Sequence, residues 1–166
     1  MNRIHVLSAL ALLAPIVPLP PVQDPAPASV DARLEVAAAL EDFLGAAAEA
    51  DGRRYFSHIA EDAVLIGTDA AERWTRAELR TLLQPVFDAG QGRKSVPVET
   101  NVSLADDGNL AWFDQRLESE RWGAMRGSGV LRRAEGRWEI VQYIWSFPVP
   151  NELVPELTAR RRALGR

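Results

Sequence analysis

The residues best suited to chemistry lie in the last third of the chain. Asp114 follows two aromatics in Trp112-Phe113-Asp114. A carboxyl group beside tryptophan in a low-polarity pocket holds its proton more tightly and can serve as general acid or base. Asp114 is therefore the catalytic candidate, with a carboxylate paired to Arg126 or simply solvated as the competing reading. Arg126 stands next to Gly127 and Gly129. Glycines in a strand allow a bend or the close approach of another group, so Arg126 could hold a ligand carboxylate bidentately or form a structural salt bridge. Gln142, with Ser128 and Ser146, offers neutral hydrogen-bonding groups that orient a ligand without titrating. Tyr55, Trp74 and Trp112 are the candidate pocket walls, with core packing as the competing role of each aromatic.

Several chemistries are excluded by residue type. The chain has no cysteine, which removes thiolate nucleophiles, thiolate metal sites and disulfides. His58 is the one histidine after the first five residues, so a zinc site has too few ligands. A Ser-His-Asp triad would need His58, and no Gly-x-Ser-x-Gly elbow is present. Gly127-Ser128-Gly129 falls within a strand pattern. No glycine-rich phosphate loop occurs, and no cofactor is expected.

The elements that position these residues can be read from periodicity. Leu34, Ala37, Leu40, Phe43, Leu44 and Ala47 recur at helical spacing over Val30 to Ala50. Arg53 to His58 reads as a short second helix, Ala63 to Gly67 as a short buried strand, and Thr68 to Trp74 as a connection. Thr75 with Glu78 three residues on forms a capping box for a third helix, which Pro85 should kink or shorten. From Ser95 the period changes to two. Strands are expected around Val96 to Val102, Leu110 to Glu118, Ala124 to Arg133 and Trp138 to Ser146, with turns at Asp106-Asp107-Gly108-Asn109 and Glu135-Gly136. Asn151 starts a short helix that fades into Arg160-Arg161-Arg162. The order is α+β, with helices ahead of a curved antiparallel sheet.

The 166 residues have room for one domain. With 19 Lys and Arg against 23 Asp and Glu, the net charge is -4, and a mildly acidic chain has no electrostatic footprint for nucleic acid. Arg3 precedes an apolar run from Val6 to Val17, far shorter than the roughly 20 residues of a membrane span. This is the pattern of a secretory signal, with Ala26-Pro27-Ala28 as its cleavage site, and an uncleaved apolar tail or membrane anchor is the competing reading. The expected organisation is a signal and proline-rich lead-in over 1–28, one domain over 29–155 and a basic tail over 156–166, in a protein exported to the periplasm or beyond.

Five segments together resemble the nuclear transport factor 2-like superfamily, and within it the SnoaL-like, ketosteroid-isomerase-like bacterial proteins. They are Gly67-Thr68-Asp69-Ala70 with Glu72-Arg73-Trp74, Ala111-Trp112-Phe113-Asp114, Arg126 to Leu131, Trp138 to Tyr143, and Ser146 to Asn151. The resemblance implies a cone-shaped α+β barrel whose curved sheet and helices enclose a pocket, with dimers formed through the outer sheet face. Many such relatives place two pocket-facing histidines on the last strand; here those positions are Gln142 and Ile144, which weakens histidine-driven catalysis. The preferred reading is an exported binding protein for a mostly apolar small molecule. The alternatives are a cofactor-free isomerase, dehydratase or cyclase using Asp114 with Gln142 and Tyr55, and a dimeric interaction scaffold. A cone interior filled by side chains would favour the scaffold.

Overall fold

In the computed structural model, which describes residues 30–165, helix α1 covers Val30–Ala48 and α2 covers Gly52–Ser57. Strands β1 (Ile59–Ile66) and β2 (Arg73–Thr75) follow, then helix α3 (Arg76–Asp88). Strands β3 (Ser95–Leu104), β4 (Leu110–Ser119), β5 (Gly123–Ala134) and β6 (Arg137–Ser146) complete the sheet, and a 3-10 turn at Asn151–Leu153 leads into α4 (Val154–Ala163). The expected signal segment and its cleavage site lie outside the described residues.

The sheet has six strands in the order β2-β1-β6-β5-β4-β3. β1 pairs with β6 in parallel and every other pairing is antiparallel. The meander from β3 to β6 follows from its turns. Gly108 adopts φ 68, and Glu135-Gly136 both take positive φ, the conformation a two-residue hairpin needs. α3 begins where its capping box requires: the Thr75 hydroxyl accepts from the Glu78 amide at 3.3 Å, and the Glu78 carboxylate accepts from the Thr75 amide at 2.8 Å. Pro85 falls in the last turn of α3, so the helix runs on to Asp88 before it stops. Three elements differ from the sequence reading. β1 begins at Ile59 instead of Ala63, Arg73–Thr75 pairs with β1 as an edge strand instead of a plain connection, and α4 runs through Arg160, Arg161 and Arg162.

One sheet face packs on the helices and the other is open. β4 shows this most clearly: Ala111, Phe113, Gln115, Leu117 and Ser119 are buried, while Leu110, Trp112, Asp114, Arg116 and Glu118 are exposed. On β5 the inward positions are Met125, Gly127, Gly129 and Leu131. On β6, Trp138 and Ile140 point inward. Val141 is then an extra residue, because Val130 faces Gln142 while Leu131 faces Ile140. Such a bulge reverses the alternation beyond it, so Tyr143 is buried and Gln142 and Ile144 face outward.

The two inward glycines make room for this arrangement. A Cβ on Gly127 would lie 2.3 Å from the Tyr143 hydroxyl oxygen, and one on Gly129 would lie 2.1 Å from the Gln142 carbonyl oxygen. A backbone oxygen in a paired strand cannot step aside as a side chain can. Gly129→Ala should therefore cost about 3 kcal/mol, the upper end of ordinary overpacking penalties, and Gly127→Ala less. Urea unfolding measures both as a lowered midpoint; an unchanged midpoint in Gly129→Ala would contradict this strand packing.

Candidate functional site

The interior between sheet and helices is built from aromatic rings. Phe43 of α1 stacks on Tyr55 of α2 with centroids 4.5 Å apart and meets Tyr143 of β6 at 5.3 Å. Tyr143 lies 5.4 Å from Phe113 and 4.4 Å from Trp145, and Tyr55 meets Phe87 of α3 at 5.3 Å. The rings run unbroken from helices to sheet.

Within this apolar interior sits a short polar chain. The Tyr143 hydroxyl donates to Gln115 Oε1 at 3.3 Å, and Gln115 Nε2 donates to Thr100 Oγ1 at 3.0 Å. Gln115 is 1% exposed. Burial pushes the Tyr143 phenol up, out of the titrating range. Burial does the same to Tyr55, reinforced by neighbouring Tyr143 and opposed by Arg93. Both phenols are thus held protonated, and Tyr143 is the one that donates to Gln115. Besides the tyrosines, the buried polar side chains among the described residues are Gln115 and Ser119, so the interior offers neutral hydrogen-bonding groups and no carboxylate.

The sequence-derived site residues separate onto two faces. Tyr55 belongs to the interior, and Trp74, paired with Leu65, lies on the same side at the sheet edge, packed against the core and over Gly67. Asp114, Trp112, Arg126, Ser128 and Gln142 lie on the open outer face and share no pocket with Tyr55. Asp114 is exposed and accepts from Asn101 Nδ2 at 3.1 Å; the apolar enclosure that acid/base work requires is not around it. Arg126 stands across from Arg116, not Asp114, and Arg116 pairs with Glu99. Ser128 is flanked by Asp114 and Ile144. Trp145 points inward onto Tyr143. Gln115 and Tyr143, absent from the sequence-derived set, each stand one residue from a member of it.

His58 is a structural clasp. Its Nε2 lies 2.7 Å from Asp42 Oδ2, and the other Asp42 oxygen accepts from Arg54 Nε at 2.9 Å. The Arg54 guanidinium, with a smaller contribution from His58, holds the Asp42 carboxyl below its usual range against the opposing effect of burial. Among the described residues no group of three or more His, Cys, Asp or Glu side chains is placed to hold a metal ion, and no helix is long and apolar enough to cross a membrane.

Comparison with known proteins decides the family. The model of the SnoaL-like domain family matches residues 36–150, more than half of the chain. The chain belongs to the SnoaL-like domain family. No curated protein matches this SnoaL-like sequence. Solved structures of the same fold include a nuclear transport factor 2-like protein of unknown function from Pseudomonas putida KT2440, with 20% identity, TM-score 0.62, and coverage of 75% of this chain and 92% of that one. A candidate dehydratase of the same superfamily from Streptomyces avermitilis is 14% identical at TM-score 0.59, covering 71% of this chain and 96% of that one. A candidate ketosteroid isomerase from Parabacteroides distasonis is 18% identical at TM-score 0.56, covering 69% and 86%. At these identities the SnoaL-like chain shares their fold, and shared fold does not carry function.

The protonated interior phenols have a pH consequence. Their proton affinity is higher in the folded than in the unfolded chain. The stability this supplies is present in full below the unfolded tyrosine value of about 10 and is lost as pH climbs from there toward the folded value. Tyr143→Phe should flatten part of that alkaline decline, measured as urea midpoints across the tyrosine titration. Equal alkaline slopes in both proteins would contradict the burial of Tyr143.

Proposed function

We propose that this SnoaL-like protein is a homodimeric interaction module joined through its outer sheet face. Trp112 carries the reading: it is 51% exposed on an open sheet. It begins a cross-strand row of Trp112, Val130, Gln142 and Val64, beside a second row in which Ile144 and Ile66 are neighbours. Burying a large apolar side chain contributes about 1.5–3 kcal/mol, and a two-fold interface counts each such residue twice. Charges of both signs flank the rows: Asp114 and Glu99 beside Arg116 and Arg126. A mixed polar rim around an apolar centre is the ordinary anatomy of a protein interface. The packing of the inner face on the helices supports the same reading, since it leaves the outer face as the unpartnered apolar surface of the sheet.

A second reading rests on Tyr143 and Gln115. Buried neutral donors in an aromatic interior suit a mostly apolar small molecule with one or two polar groups, and the candidate dehydratase and isomerase relatives lend it support. In that reading the ligand displaces rings around Tyr143, and Asp114→Asn leaves binding unchanged. We also propose that the mature protein is exported and begins at Ser29; N-terminal sequencing of the exported fraction tests this, and an intact Met1 there would refute it.

Sedimentation equilibrium tests the dimer. The full chain should sediment as a dimer. Trp112→Glu should remain folded and weaken association by at least about 2 kcal/mol, the scale of an aromatic hot spot. A wild-type chain that stays monomeric at high concentration would overturn the proposal.

A further inference from the structure

We propose that a surface cleft at the start of β1, at the end of the outer face beyond the Trp112 row, binds a small multiply charged oxyanion. The cleft encloses about 440 Å³, within the range of small-molecule sites. Three guanidinium groups converge there from three elements: Arg76 at the start of α3, Arg132 on β5 and Arg137 at the start of β6. Guanidinium groups bind carboxylate and phosphate oxygens bidentately, which makes such a cluster selective for planar or tetrahedral oxyanions.

The three carboxylates in the cleft occupy those arginines unequally. Arg76 is fixed: its Nη2 donates to the Phe56 carbonyl at 3.0 Å, its side chain is 18% exposed, and its Nε is buried with no hydrogen-bond partner. Its ion-pair partner Glu61, by contrast, is 87% exposed. Arg132 is held in a fork by Asp62 at 2.9 and 3.0 Å, and Asp62 is also mostly exposed. Arg137 donates to the Ser57 carbonyl at 3.2 Å and pairs with Glu139. Exposed ion pairs hold weakly, and a glutamate arm in solvent rotates freely. Arg76 and Arg137 are therefore anchored to backbone carbonyls, Arg132 is held by Asp62, and the acids of β1 are loose covers over the cluster. An entering oxyanion takes the place of Glu61 on Arg76 and shares Arg132 and Arg137, leaving the Glu61 carboxylate in water.

Isothermal titration of the full chain with citrate, and separately with inorganic phosphate, tests this. Citrate should bind with an affinity that falls as salt rises. Glu61→Gln removes the competing carboxylate and should tighten citrate about tenfold, a gain that a merely structural ion pair would not give. Arg132→Gln should loosen it about tenfold. Arg76→Gln also strips a hydrogen bond from the Phe56 carbonyl and can unfold the chain, so Arg132→Gln and Glu61→Gln bear the test. If phosphate reproduces the pattern, the site reads oxyanion charge alone; if only citrate does, it reads a polycarboxylate, and either result supports the cleft. Absence of binding in both the wild type and Glu61→Gln, or an affinity that neither substitution moves, would overturn it.

Discussion

The packing of Tyr143 over Gly127 is the contact on which the rest of the molecule depends. Its ring touches Phe43 from the helical layer and Phe113 and Trp145 from the sheet. Its hydroxyl fits where a side chain on β5 would otherwise stand, and donates to Gln115. Two features of the chain make this fit available. The glycines of β5 hollow the inner face, and the extra residue Val141 turns Tyr143 toward that hollow. Without the bulge, Gln142 and Ile144 would point into the core and Tyr143 and Trp145 into solvent, because one residue of slip exchanges the faces of a strand. A buried phenol and amide are tolerable here because they satisfy one another inside an apolar shell.

Local signals in the sequence located most elements. The Thr75 and Glu78 capping box, the Gly108 turn and the Glu135-Gly136 hairpin each depend on a few neighbouring residues, and each stands where the chain pattern puts it. The α+β cone and its family were likewise legible, because the order of several weak motifs constrains topology more than any one of them. The phase of the strands was not. On β6, Trp138 and Ile140 are inward, and strict alternation from them carries Gln142 inward too; only pairing with β5 reveals the bulge. On β5, the inward residues Gly127 and Gly129 carry no hydrophobic label, so the pattern does not mark Arg126 and Ser128 as outward. On β4, Trp112 and Phe113 are adjacent aromatics, and composition alone does not say which faces the core. The parallel pairing of β1 with β6 joins residues about eighty positions apart, and the three-residue β2 is too short to show a period.

Those phase differences shift the weight of the functional reading. A candidate site resting on Asp114, Arg126, Ser128 and Gln142 becomes a patch on the outer face, and the same residues that would have gripped a ligand become the polar surroundings of Trp112. The interior, in turn, holds neutral donors and rings, with its ionisable groups at the surface in pairs such as Asp42 with Arg54 and Asp62 with Arg132. Self-association through a half-exposed tryptophan and a stripe of β-branched residues is what such a division of polarity favours: an inner face packed on helices, and an apolar face still facing water.

Hydroxyl-radical footprinting of the full chain over a range of protein concentrations is the most direct measurement. Trp112 and Trp122 are 51% and 55% exposed in the single chain, so they start as equal targets, one in the outer-face row and one at the turn beyond it. If a second copy covers the outer face, Trp112 becomes protected as concentration rises while Trp122 stays reactive. Equal oxidation of both at every concentration would contradict the interface.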